Sequence, residues 1–120
     1  MKTIEQAITD FWTENPEQMD EIHAAVAAGD ARVFGNETDR IVLRFRLENG
    51  IPYVVVWLGI SVSLDGLERN TPIIKKMTRD VGGRWAEFYT KRKGFIRISR
   101  RMGFERLPDQ DGFMKFKIPV

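Results

Sequence analysis

Between residues 91 and 101 six bases, Lys91, Arg92, Lys93, Arg97, Arg100 and Arg101, stand with no acid among them. Such a patch attracts phosphate, on a nucleotide cofactor or on nucleic acid, and equally the carboxylates of an acidic protein surface. The opposite sign gathers at the other end of the chain. Residues 1–30 hold seven acids (Glu5, Asp10, Glu14, Glu17, Asp20, Glu21, Asp30) and a single base, Lys2. The net charge of +2 therefore hides a balance of −6 in that stretch and +8 in the remainder. There is no cysteine, which excludes disulfides, thiol nucleophiles and zinc-thiolate sites. His23 is the only histidine, and with no second soft ligand it argues for packing rather than metal binding.

The elements that position these residues follow from periodicity. Thr3 and Gln6 form a capping-box pattern ahead of Ile4, Ala7, Ile8, Phe11 and Trp12, which recur at helical spacing. Asn15-Pro16 starts a second helix with the stripe Met19, Ile22, His23 and Val26, half-buried at His23 and stopped by Gly29. Residues 31–35 add a short strand. Residues 40–47 alternate, with Ile41, Leu43, Phe45 and Leu47 facing one way and Val42, Arg44 and Arg46 the other. Asn49-Gly50 then signals a tight hairpin. Residues 53–62 read as a nearly continuous apolar strand, buried on both faces and central.

A polar loop over 63–70 leads to Thr71-Pro72, which predicts a helix start carrying Ile73, Ile74, Met77 and Val81 and closed by Gly82-Gly83. Residues 85–90 predict a strand. From 93 to 102 a short helix puts Phe95, Ile98, Ser99 and Met102 on one face, and Lys93, Arg97, Arg100 and Arg101 on the other. A strand near 104–107, a turn over 108–112 and an alternating last strand (Met114, Phe116, Ile118 inward) complete the chain. At 120 residues this order implies a single α/β (α+β) domain over 1–120, one sheet with helices on its faces. The longest apolar run, from Val54 to Ile60, is too short to cross a membrane, and no secretory leader is visible. The expectation is a cytoplasmic protein without membrane partners.

The order of elements, with Gly103-Phe104 leaving the last helix for a hairpin, resembles the second half of the GNAT superfamily of N-acetyltransferases. Members commonly read Asn…Ala…Leu-Tyr-x-x-x-Gly-Phe there; this chain places Ile98 at the Leu position and Ser99 at the Tyr position. The run Ile96-Arg97-Ile98-Ser99-Arg100-Arg101-Met102-Gly103 and the earlier Ala27-Ala28-Gly29 are similar to the GNAT-like internal virion proteins of short-tailed bacteriophages. The resemblance implies a mixed, mainly antiparallel sheet. It also implies an acetyl-CoA site in enzymatic members, and for the phage relatives host cytoplasm, virion components and other protein partners.

Carried onto this sequence, the resemblance puts the cofactor's pyrophosphate before the 71–81 helix, with Arg69, Thr71, Ile73 and Lys75 as the binding residues. That stretch offers one glycine, Gly66, and two carboxylates, Asp65 and Glu68, where anionic phosphates would dock. Ser99 stands where a tyrosine usually protonates the leaving thiolate, and Tyr89 is the nearest substitute. Glu87 is the one inward candidate for a base that takes a proton from an amine, its competing reading being a surface strand residue. Loop, acid and base are altered together, which implies a degenerate site with no cofactor expected, or acetyl-CoA if enzymatic. Three functions follow in order: a non-catalytic phage or prophage protein in virion assembly or genome delivery; an N-acetyltransferase with an unconventional cofactor loop; and a nucleic-acid-binding module using the basic helix over 93–102.

Overall fold

The computed structural model describes residues 2–120. The elements run α1 (Ile4–Glu14), α2 (Pro16–Ala27), β1 (Ala31–Gly35), β2 (Asp39–Glu48), β3 (Ile51–Ser61), α3 (Gly66–Asp80), β4 (Trp85–Thr90), α4 (Gly94–Met102), β5 (Glu105–Gln110) and β6 (Phe113–Pro119). The strands form one sheet in the order β1-β2-β3-β4-β6-β5, so β3 is central as expected. Pairing is antiparallel for β1–β2, β4–β6 and β5–β6 and parallel for β3–β4.

The residues group into two compact units. One comprises the chain up to Arg44 together with Trp57–Gly66, and the other comprises Phe45–Val56 and Leu67–Val120. In the first, α1 begins with the capping box: Gln6 N–H donates to Thr3 Oγ1 at 3.2 Å, and Thr3 N–H donates to Gln6 Oε1 at 2.8 Å. These bonds satisfy helix-end donors that would otherwise be orphaned. Met19 and Ile22 of α2 pack with Ala31, Val42 and Leu58 into one apolar cluster. His23, expected half-buried, is exposed and meets Trp12 edge-on at 4.5 Å. Its position one residue past Ile22 turns it off the buried stripe.

In the second unit Phe88 of β4 lies between Phe95 of α4 (5.6 Å between ring centroids), Phe104 (6.1 Å) and Phe116 of β6 (5.3 Å). Such rings bury large areas and anchor a core. The Gly-Phe pair after α4 is capping chemistry. Gly103 takes a left-handed φ of 77°, its N–H donates to the Arg100 carbonyl, and Phe104 N–H donates to the Ser99 carbonyl at 2.8 Å. That is a Schellman closure, completed by burial of the Phe104 ring.

Four local expectations are corrected. α3 starts at Gly66, five residues before Thr71-Pro72, and Pro72 sits inside it. Burial of Asn70, Thr71, Ile74 and Thr78 along one stripe holds this longer helix against the proline, while Ile73 and Val81 face solvent. β3 is half-buried rather than covered on both faces, since only Val54 and Leu58 are buried along it. On β2 the alternation misleads at both ends: Ile41, Val42 and Leu43 are all buried, whereas Leu47 is 72% exposed near the hairpin tip. Pro108 is part of β5, where a register irregularity between Leu107 and Gln110 accommodates it on an edge strand. The turn is reduced to Asp111-Gly112, both at positive φ. No described helix is long and apolar enough to cross a membrane.

Candidate functional site

β4 alternates its side chains, so Ala86 and Phe88 face the aromatic core while Trp85, Glu87 and Tyr89 project from the other side. Glu87 is buried, 3% exposed, which excludes the reading of it as a surface strand residue. A buried carboxylate has to find donors. Tyr89 Oη donates to Glu87 Oε1 at 3.0 Å, and Trp85 Nε1 donates to Glu87 Oε2 at 3.2 Å. Lys115 Nζ of β6, in register with Tyr89, lies 3.7 Å from the same Oε2. Tyr53 stacks on Trp85 at 5.0 Å, and Lys117 Nζ sits over the Trp85 ring at 4.8 Å.

This cluster changes the phenols. Burial, then the Glu87 charge and its hydrogen bond, push the Tyr89 phenol well above the ordinary tyrosine value. Tyr53 is raised as well, by burial first and the Glu87 charge second. Tyr89 is therefore a neutral donor to Glu87, and a poor source of a proton for a leaving thiolate near neutral pH.

Ser99 is not part of this group. It follows Phe95 by one turn on the α4 face that meets Phe88, whereas Glu87 and Tyr89 leave β4 from the opposite side. It is 1% exposed, and its Oγ has no hydrogen-bond partner among the described residues. Of the three expected catalytic residues the structure brings together Glu87 and Tyr89. Sequence reasoning missed Trp85, Tyr53 and Lys115 around them. Period-two spacing of Trp85, Glu87 and Tyr89 was the signal for the first; the others needed strand register.

The expected cofactor residues do not converge either. Arg69, Thr71, Ile73 and Lys75 alternate along α3, so consecutive members lie on nearly opposite sides of the helix. Thr71 is buried in the second turn, its Oγ1 donating to the Leu67 carbonyl at 2.6 Å. Its backbone is helix interior, not a helix start facing a phosphate. The true first turn carries Glu68, which accepts a charged hydrogen bond from Arg101 of α4. Asp65 precedes it at a φ of 63°. A carboxylate in the first turn of a helix occupies the end that would otherwise favour an anion.

Lys93, just before α4, and Arg97, Arg100 and Arg101 on it are exposed. Among the described residues no cluster of His, Asp or Glu is fit to hold a metal ion. A shallow groove of about 390 Å³ opens at the β2–β3 hairpin, lined by Phe45, Arg46, Leu47, Pro52, Tyr53 and Val81.

A parallel pair within a mixed sheet, whose ladder stops at Val54–Ala86 and Val55–Glu87 while both strands continue, is the central feature of this arrangement. Together with the element order it defines a GNAT-like α/β fold. The crystal structure of AtaTR bound with acetyl-CoA is similar over 99% of this chain and 82% of that chain, with a TM-score of 0.62 and 15% sequence identity. At that identity the likeness establishes the fold alone. No protein-family model matches the chain, and no curated protein matches it.

Proposed function

We propose that residues 1–120 form one GNAT-like domain of a phage or prophage protein. It works through protein contacts in virion assembly or genome delivery, in the host cytoplasm and in the particle, rather than by acetyl transfer. One observation carries this reading: the first turn of α3 is occupied by its own charges. Glu68 is held by Arg101, and Asp65 stands immediately before the helix. A helix N-terminus that already has a carboxylate offers little to an incoming phosphate. The run from Ile96 to Gly103 supports the phage assignment through its resemblance to short-tailed-phage internal virion proteins.

The test is a thermal-shift titration with acetyl-CoA, paired with a search for the chain in purified particles. A ligand at a hundred times its Kd stabilises a protein by about 2.7 kcal/mol. The expected result is no shift at millimolar acetyl-CoA and presence in the particle; absence from the particle removes the virion role.

Glu87 favours a second reading, an acetyl-CoA-dependent N-acyltransferase. It is a buried carboxylate with two donors, placed at the last rung of the β3–β4 ladder, suited to take a proton from an amine acceptor. A clear shift with acetyl-CoA, and turnover lost in Glu87→Gln, would establish that reading in place of the first.

A further inference from the structure

α2 and α4 carry opposite charge in the same helical pattern. On α2, Asp20 and Glu21 stand three and four residues after Glu17, and all three are exposed. On the α4 segment, Arg97 stands four residues after Lys93, and Arg100 and Arg101 stand three and four after Arg97; all are likewise exposed. Among the described residues, Glu17, Asp20, Glu21, Lys93, Arg97 and Arg100 have no ion-pair partner within the chain. Residues three and four apart share a helix face, so each set forms a single-signed stripe.

Exposed aromatic rings occur in the same segments, Trp12 meeting His23 of α2 and Phe113 meeting Lys91. Trp12, 43% exposed, stands on α1, which carries Asp10 and Glu14. Phe113, 38% exposed, lies under Lys91 at 4.7 Å, beside the basic stretch. Aromatic and arginine side chains dominate the energetics of protein interfaces, while complementary charge sets partner choice and encounter rate.

We infer that the acidic α1–α2 surface of one copy of this chain docks on the basic α4 surface of a second copy. Charge complementarity selects the occupant: the chain that presents a basic face on α4 carries an acidic surface itself. The two patches differ, so each contact pairs an acidic surface with a basic one. This goes beyond the scaffold reading and holds with or without acetyl transfer.

The experiment is sedimentation of the full chain over a range of concentrations, in dilute salt and at about 1 M salt, where charges farther apart than about 3 Å are screened. Expected is a mass that grows with concentration in dilute salt and falls to monomer at high salt. Two variants, Arg97→Glu with Arg100→Glu and Glu17→Lys with Glu21→Lys, should each weaken association by more than about tenfold. Mixed together they should associate again, because each then supplies what the other lost, and that recovery also shows both to be folded. A chain that stays monomeric in dilute salt overturns the inference, as does association unmoved by either variant, or a mixture that does not recover. Salt-sensitive binding of duplex DNA by a chain that does not self-associate would assign α4 to nucleic acid instead.

Discussion

At the start of α3 an exposed carboxylate, Glu68, is met by the exposed Arg101. On β4 a single carboxylate, Glu87, is buried and has drawn two hydrogen-bond donors and an ammonium group. The Glu68 side chain is 42% exposed and that of its partner Arg101 61%, whereas Glu87 is 4% exposed and Lys115 21%. The same residue type thus does different work in the two places. Water can solvate Glu68 whether or not Arg101 is present, so the pair steers electrostatics more than stability. Glu87 has no such alternative, and Trp85, Tyr89 and Lys115 are organised by its need. The GNAT-like fold is common ground; what distinguishes the two regions is how much of each charge the fold has removed from water.

Removing Glu87 tests this contrast most severely. Glu87→Ala leaves Lys115 half-buried without its counter-charge, and Trp85 Nε1 and Tyr89 Oη without their acceptor. The expected loss is about 3 kcal/mol in urea denaturation, with Glu87→Gln costing about half as much because it keeps an acceptor oxygen. A loss below about 1 kcal/mol would mean that water reaches the cluster, and the contrast with Glu68 would collapse.

The alkaline limb of stability reads the same cluster by titration. Both tyrosines have raised pKa values, so each holds its proton more tightly folded than unfolded. Their contribution is therefore complete below the unfolded value of about 10 and is lost as pH climbs through the raised folded value. Spectrophotometric titration of the native protein should show neither phenol ionising in the ordinary range. Tyr89→Phe should flatten the decline of stability above about pH 10. Glu87→Gln should bring Tyr89 back toward its usual value, which separates the carboxylate's influence from that of burial.

Ser99 offers a smaller effect of opposite sign. Its hydroxyl is buried without a partner. Ser99→Ala should raise stability by about 1 kcal/mol, because an unsatisfied hydroxyl is removed at little loss of packing. A fall of that size would reveal a bound water or an acceptor that makes the serine useful.

The sequence carried the elements better than the ends of one of them. Capping box, hairpin turn and Gly-Phe exit were legible because each is local chemistry: a side chain reaching three residues away, or a glycine at positive φ. The start of α3 was not legible, because Thr71-Pro72 has the look of a helix start while the helix is fixed by the buried stripe of Asn70, Ile74 and Thr78. For the candidate site, Glu87 and Tyr89 could be found by their spacing. Lys115 could not, because only the β4–β6 register brings it opposite Tyr89.

The smallest expected effect sharpens the other half of the comparison. A double-mutant cycle on Glu68→Ala and Arg101→Ala should give a coupling of about 0.5 kcal/mol, the scale of an exposed pair, and it should shrink further as salt is added. The pair joins the first turn of α3 to the last turn of α4, where a negative charge at one helix start and a positive charge at the other helix end each suit the local dipole. Each single variant would therefore lose its own dipole contribution as well, and the cycle subtracts that and leaves the direct interaction. A coupling above about 2 kcal/mol would place this pair with Glu87 among the desolvated charges. The first turn of α3 would then be a rigid closed clasp, and no longer two solvated side chains that happen to cancel.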